Sequence, residues 1–321
     1  MLPAGRQRRN WCEQRTKYTV YEEDCGKGKP PCTQPQDSAA RRPDPIMSIS
    51  LEHWLGREEQ CDDNLDLALV ARVAATFDRE TPAVGTPLPW LWHWAFFQTP
   101  ALARAIGTDG HAARGTFLPP ADDRHRMWAG SRLTFHAPLR VGLPARRHTR
   151  ILSIEEKQGR TGALLFVTLT HEYHQQNALA LREEQDIVYR APSPPRLGEP
   201  TPLADCDWCD EVTPDPVLLF RYSAITFNGH RIHYDQPYVT GEEGYPGLVV
   251  HGPLLATLMM QAFTRAHPHA TPTHMSFRGL RPIVAPASFR AGGRLTGPGE
   301  AEIFIDNAHG PAQAGVVRFT E

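Results

Sequence analysis

Leu254 to Phe263 reads LLATLMMQAF, and nearly every residue in it is apolar. A helix that is apolar all round has no side to turn to water, so it must be buried. His251-Gly252-Pro253 precedes the run and sets Pro253 at a first helical position, where the missing N–H removes no helical bond. The start of a helix carries free amides and the positive end of the dipole. Those groups can polarise a carbonyl oxygen while a nearby imidazole moves a proton.

Such imidazoles lie just upstream. Phe220, Tyr222, Ile225, Thr226 and Phe227 are aromatic or β-branched and read as a strand, stopped by Asn228-Gly229. A polar cluster of His230, Arg231, His233, Tyr234 and Asp235 follows, and Gly244, Pro246 and Gly247 mark turns before the helix.

Elsewhere the pattern is mostly β. SRLTFHAPLRVG, RHTRILSIEEK, ALLFVTLTHEYHQQN and ALALREEQDIVYR are strand-like runs, two of them joined by the turn Gly159–Gly162. Short polar turns between successive strands imply an antiparallel sheet. THMSFRGLRPIV, ASFRAGGRLTG, EAEIFIDNA and AGVVRFT continue the pattern after the buried helix. LDLALVARVAATF has helical apolar spacing behind a cap at Asp62-Asp63-Asn64. PLPWLWHWAFF clusters tryptophans around His93, as a core cluster or as one wall of a ligand site. Gly107 to Gly130 reads as a long loop in which Arg124, His125 and Arg126 could meet an anion. The Pro-rich stretch Ala191–Pro202 is a linker, dividing an N-terminal domain over 47–195 from a C-terminal one over 200–321.

Residues 1–46 mix basic residues, Pro, Gln and Gly without apolar periodicity and read as an unstructured extension, with Met47 opening the folded part. There is no apolar core of a signal peptide and no run long enough to span a bilayer, so a cytoplasmic protein is expected. A formal net charge of −2 gives no sign of nucleic acid as a partner. Cys206-Asp-Trp-Cys209 is a lone pair, read as two reduced thiols in a linker, where a structural zinc site needs four ligands, so no metal is expected.

Asn228-Gly229-His230-Arg231-Ile232-His233 resembles the signature of the MaoC-like, R-specific enoyl-CoA hydratases, an Asp-x-Asn-Pro-Ile-His run. Ile232 and His233 match it, while Asn228 stands in place of the Asp, His230 in place of the Asn and Arg231 in place of the Pro. The longer pattern YSAITFNGHRIHYD, followed by GYPGLVVHGPL, is similar to a subgroup. That subgroup holds the 3-methylfumaryl-CoA (mesaconyl-CoA), itaconyl-CoA and mitochondrial-type hydroxyacyl-thioester hydratases. The resemblance implies an α+β double hot dog, two antiparallel sheets each wrapped on a helix. It also implies an enzyme that needs no cofactor, takes an acyl-CoA or acyl carrier protein thioester, and works as a homodimer.

On that resemblance His233 is the general base and acid. Asn228 can position water by hydrogen bonding but cannot take its proton. In an extended segment Asp235 would share a face with His233 and could orient its ring. His230 and His251 are further partners, and the amide near Gly252 suits the thioester oxygen. Arg231, or Arg126 from the long loop, would hold the free carboxylate of a dicarboxylic acyl chain in bidentate fashion. The leading expectation is hydration of 3-methylfumaryl-CoA to a malyl-type product. The rivals are a (3R)-hydroxyacyl-thioester dehydratase of fatty acid metabolism, a non-catalytic acyl-thioester-binding module and a thioesterase.

Overall fold

Strand alternation organises the molecule. In β4 (Gly162–Gln175) more and less buried residues alternate along most of the strand, the period-two pattern of a pleated ribbon with unlike faces. The computed structural model describes residues 51–121, 124–159 and 162–321. The expected extension over 1–46 and the centre of the Gly159–Gly162 turn lie outside the described residues. The elements are β1 (Glu58–Asp63), α1 (Leu67–Thr76), β2 (His125–Phe135), β3 (Ala145–Gly159), β4 and β5 (Ala178–Arg190). After them come β6 (Trp208–Val212), α2 (Pro216–Ile225), α3 (Gln236–Gly241), α4 (Gly252–Ala266), β7 (Thr271–Gly279), β8 (Phe289–Gly297), β9 (Glu300–Asn307) and β10 (Gly310–Thr320).

The strands form one sheet in the order β1-β3-β4-β5-β2-β7-β10-β9-β8-β6. Read outward from the centre, each half runs through the second, fifth, fourth, third and first of its own strands. The halves are therefore a topological repeat, although no repeat is visible in the residues. β2 and β7 join them, antiparallel, from Gly130 opposite Arg278 to Thr134 opposite His274. This is the double hot dog. β4 and β5 form a hairpin through Gln176 and Asn177, both left-handed with φ of 52° and 61°, the backbone that matches a two-residue turn to strand twist.

α4 is the helix its apolar run predicts. Leu254, Leu255, Ala256, Met259, Met260, Ala262 and Phe263 are buried in it, and it packs on β8, β9 and β6. Among the described residues the first half has no helix of that length: between β1 and β2 they form α1 and short 3-10 turns, and the tryptophan stretch fills core space with rings instead. Trp90 meets Phe135 edge-on at 4.8 Å, Trp94 meets Trp128 at 5.0 Å, and Phe97 meets Tyr173 at 5.2 Å between centroids.

Four readings change. Phe220 to Ile225 belongs to helix α2, not to a strand, because Asp215 caps it: its carboxylate accepts from the Leu218 amide at 2.7 Å, and Pro216 stands in the first turn. Leu219, Tyr222, Ser223 and Ile225 are buried while Phe220 is exposed, a helical rather than alternating pattern. The cap of α1 is Asp66, which accepts from the Ala68 and Leu69 amides, and Asp62-Asp63 instead end β1. The loop expected to reach Gly130 gives way at His125 to β2, so Arg126 is a strand residue. Cys209 lies in edge strand β6 opposite Gly292 of β8, not in a linker, and Cys206 and Cys209 are free thiols. Among the described residues no helix is long and apolar enough to cross a membrane.

Asp215→Ala is expected to lower the unfolding free energy by about 1 kcal/mol in urea titrations, and Asp215→Asn, which keeps an acceptor, by a few tenths. A strand at this position would leave both substitutions without effect.

Candidate active site

A cleft of about 1310 Å³ is lined by residues of both halves. Of the residues singled out in the sequence, His93, Arg126, Asn228, His230, His233 and Gly252 line it. Arg231, Asp235 and His251 are not among its lining residues.

His233 ends a 3-10 turn, Arg231–His233, that follows α2 and precedes α3. Its Nδ1–H donates to the Val249 carbonyl at 2.7 Å, and the Val249 amide donates back to the Ile232 carbonyl at 3.0 Å. A carbonyl only accepts, so Nδ1 carries the proton and Nε2 is left as an acceptor. The ring stacks on His251 at 3.6 Å. His251 is fully buried, with Nε2 2.8 Å from the Ser223 hydroxyl. It makes no side-chain cap bond to α4; it backs the His233 ring. Burial drives the His233 pKa down to about 4, against the opposing pull of the Val249 carbonyl. Burial, followed by the neighbouring His233 and His230, holds His251 well below its usual range. At neutral pH both rings are therefore uncharged, the state a general base requires.

A second group comes from the long loop of the first half. The Asp109 carboxylate accepts the His111 amide at 3.0 Å and sits 3.1 Å from His111 Nδ1. The His111 ring lies 4.2 Å from that of His230, which lies 5.4 Å from His233. One polar atom from each of Asp109, His111 and His230 falls within 4.8 Å of the others, the spacing a three-ligand metal site would need. Burial alone would raise the Asp109 pKa; the bonds and charge of His111 outweigh it and hold the carboxylate well below its ordinary range. Burial, then His111 and His233, pushes His230 far below the normal histidine value.

The loop reaches this position through a close backbone crossing. Gly110 has φ of +89°, and a Cβ there would lie 1.9 Å from the Gly229 carbonyl oxygen. No side chain fits at Gly110. Arg231 and Asp235 secure the crossing, which corrects their expected roles. Arg231 donates its amide to the Asp109 carbonyl at 2.9 Å and its Nη1 to the Thr108 carbonyl at 3.1 Å. Its guanidinium pairs with Asp235 at 2.8 Å and covers the Tyr238 ring at 4.1 Å. Asp235 also caps α3 by accepting from the Tyr238 amide at 3.2 Å. The segment is a 3-10 turn and a helix cap rather than a strand, and the Asp235 amide bonds back to the Arg231 carbonyl at 2.8 Å, so residues 231 and 235 are neighbours, and the His233 ring is oriented by Val249 instead.

Of the three basic residues expected in the loop, His125 contacts Glu243 at 2.8 Å and Arg124 pairs with Glu156 at 3.7 Å. Arg126 lines the cleft, and its charge bears on His111 and His230. Among the described residues it has no ion-pair partner. Gly252 opens α4 into the cleft, with open space where a Cβ would stand. Its carbonyl accepts from Gln313 Nε2 at 3.2 Å, and Gln313 also lines the cleft. His93 faces Glu183 at 3.5 Å, inside a buried network in which Trp94 Nε1 and the Ser131 hydroxyl donate to the same carboxylate. Sequence reasoning missed Asp109, His111, Ser223 and Gln313. The Asp-Gly-His triplet at 109–111 was the one local signal among them, an acid and an imidazole spaced by a residue that permits left-handed backbone.

The chain is similar to several known proteins. The model of the hydroxyacyl-thioester dehydratase type 2 family matches residues 91–285. The chain is 47% identical over 250 residues to a mesaconyl-C(4)-CoA hydratase of Chloroflexus aurantiacus, covering 76% of this chain and 89% of that protein. It is 26% identical to the mitochondrial hydroxyacyl-thioester dehydratase type 2 of Schizosaccharomyces pombe, covering 68% and 84%. Among solved structures, HtdX of Mycobacterium tuberculosis aligns with a TM-score of 0.58 at 19% identity, over 82% of this chain and 100% of that one. A MaoC-like dehydratase of Phytophthora capsici aligns with a TM-score of 0.62 at 12% identity, over 85% and 98%. At those identities the two structures speak to the fold alone.

The depressed His233 pKa sets a pH dependence of stability. The unfolded ring titrates near 6.5 and the folded one near 4, so the unfolded chain binds the proton more tightly. The contribution is complete above pH 6.5 and is lost as pH falls, reaching about 3 kcal/mol by pH 4. Urea titrations from pH 7 to pH 4 are expected to show a smaller loss in His233→Gln than in the wild type, by about that amount.

Proposed function

The chain belongs to the hydroxyacyl-thioester dehydratase type 2 family, and from that premise we propose that it reversibly hydrates 3-methylfumaryl-CoA, the mesaconyl-C4 thioester, to a malyl-type CoA. As a family member with a hydratase relative, it is a hydro-lyase acting on enoyl thioesters. The observation that carries the mechanism is the neutral His233 ring, which lines the cleft with Nε2 left as an acceptor, in the same cleft that receives the start of α4. As water attacks the β-carbon, His233 Nε2 takes its proton. Charge flows to the thioester oxygen, and the opening amides of α4 at Gly252 would stabilise it there. The imidazolium then returns the proton to the α-carbon, and the ring is neutral again.

Arg126 supports the dicarboxylic acyl chain. From β2 it lines the cleft without an ion-pair partner among the described residues, and a planar guanidinium suits a carboxylate. The carrier is proposed to be CoA, and the working form a homodimer. A specific feature favours the second reading, a (3R)-hydroxyacyl-thioester dehydratase of fatty acid metabolism: Leu164, Phe166, Phe220 and Phe227 give the cleft apolar walls suited to a plain acyl chain.

A spectrophotometric panel of mesaconyl-, itaconyl- and crotonyl-CoA separates these readings. Mesaconyl-C4-CoA is expected to give the highest kcat/KM. Arg126→Ala should raise KM for the dicarboxylic substrate about 10- to 100-fold while leaving crotonyl-CoA nearly unaffected, the size of one charge-assisted bond. His233→Ala should lower kcat about 100-fold or more. A folded His233→Ala protein with unchanged hydration rate would sink the mechanism and leave a binding module. Thiol release in place of lost enoyl absorbance would make the chain a thioesterase.

A further inference from the structure

Two imidazoles in the cleft are prepared alike, and the mechanism above uses one of them. His233 gives its Nδ1–H to the Val249 carbonyl at 2.7 Å. His111 has its Nδ1 3.1 Å from the Asp109 carboxylate. A ring nitrogen bonded to a group that can only accept carries the proton, so each ring offers Nε2 as an acceptor. Both rings line the cleft, and His230 is in ring contact with each. Burial keeps the His111 pKa below the ordinary histidine range, against the opposing bond to Asp109, so its acceptor form holds at neutral pH.

Two acceptors are what an attacking water needs. Its two O–H bonds are then both directed, and its remaining lone pair can be aimed at carbon. Asn228 is a poorer second acceptor than a carboxylate would be: it carries no charge, and one of the two lone pairs of its Oδ1 already accepts the His230 amide at 3.0 Å.

We propose that His111, oriented by Asp109, is a second catalytic residue that accepts one O–H of the attacking water while His233 takes the proton of the other. The proposal rests on the hydration reading. The water oxygen bonds to the β-carbon, its departing proton goes to His233 Nε2 and on to the α-carbon, and His111 gains no proton overall. Asp109 is not among the lining residues and is a positioning residue. Its two oxygens take the His111 amide and the His111 Nδ1–H, which fixes the ring and the tautomer together. The crossing of Gly110 over Gly229, with Arg231 bonded to the Thr108 and Asp109 carbonyls, holds this pair of the first half against the histidines of the second.

The test is steady-state kinetics of the full chain with mesaconyl-C4-CoA, beside binding of its saturated analogue, methylsuccinyl-CoA. His111→Ala is expected to lower kcat about 100-fold or more with KM within about threefold. Asp109→Asn should lower kcat about 10-fold or more by releasing the tautomer, and Asp109→Glu should recover part of that loss. Analogue binding should match the wild type in all three. Unchanged kcat in His111→Ala overturns the proposal. So does a loss of analogue binding in step with kcat, which would make the loop merely structural. A wild type that chelation silences and a divalent metal restores also overturns it, by making Asp109, His111 and His230 metal ligands. A wild type inactive on every enoyl thioester removes the hydration reading itself. Activity lost in His233→Ala but kept in His111→Ala removes this inference alone.

Discussion

The burial of α4 is the constraint from which the site follows. A helix without a polar side has to be enclosed, and its start, whose first amides have no partner within the helix, is set against the cleft. His251, the cap residue, turns its ring to Ser223 instead of to those amides. The cleft meets the helix at Gly252, where no side chain intervenes. A ligand oxygen is then the natural partner of the helix start, and the neutral His233 lines the same cleft.

Burial also fixes the chemistry of the histidines. Each is held uncharged by the loss of water, and the sites differ in what pins the ring. A backbone carbonyl pins His233, a serine hydroxyl pins His251, and a carboxylate pins His111. The partners come from three separate parts of the chain, so the arrangement depends on the packing of α2, the segment before α4 and the 107–115 loop against one another. The glycine crossing at 110 and 229 permits that approach. Arg231 holds the loop at that crossing.

Much of this was legible in the residues. The apolar run of α4 with Pro253 announces its own burial, and β3, β4, β5 and β7 to β10 show strand composition along stretches long enough to read. β1 and β6 are short polar edge strands, which carry little apolar pattern because one flank faces solvent. α2 was obscured by its aromatic and β-branched content. Its Asp215-Pro216 start was the better signal, since a cap acts on the backbone directly whereas strand propensity yields to context. His233 beside the helix start could be found locally. The Asp109–His111 pair could not, because only the tertiary crossing brings it to His230. Asp235 was placed beside His233 by assuming extended spacing, where a turn brings it to Arg231 instead; Arg231 was read from guanidinium chemistry alone, which carries no information on the loop it would meet.

The seam between β2 and β7 lies within a single polypeptide, and the two halves it joins share one strand plan but differ in content. One has the long helix; the other has tryptophans and a loop that carries an acid and an imidazole across to its sibling. Were the halves separate subunits, meeting these groups would be a bimolecular event and dilution would empty the cleft of half its reagents. Covalent fusion makes that meeting an intramolecular certainty at any concentration, and it frees each half to diverge without having to serve as its own mirror image.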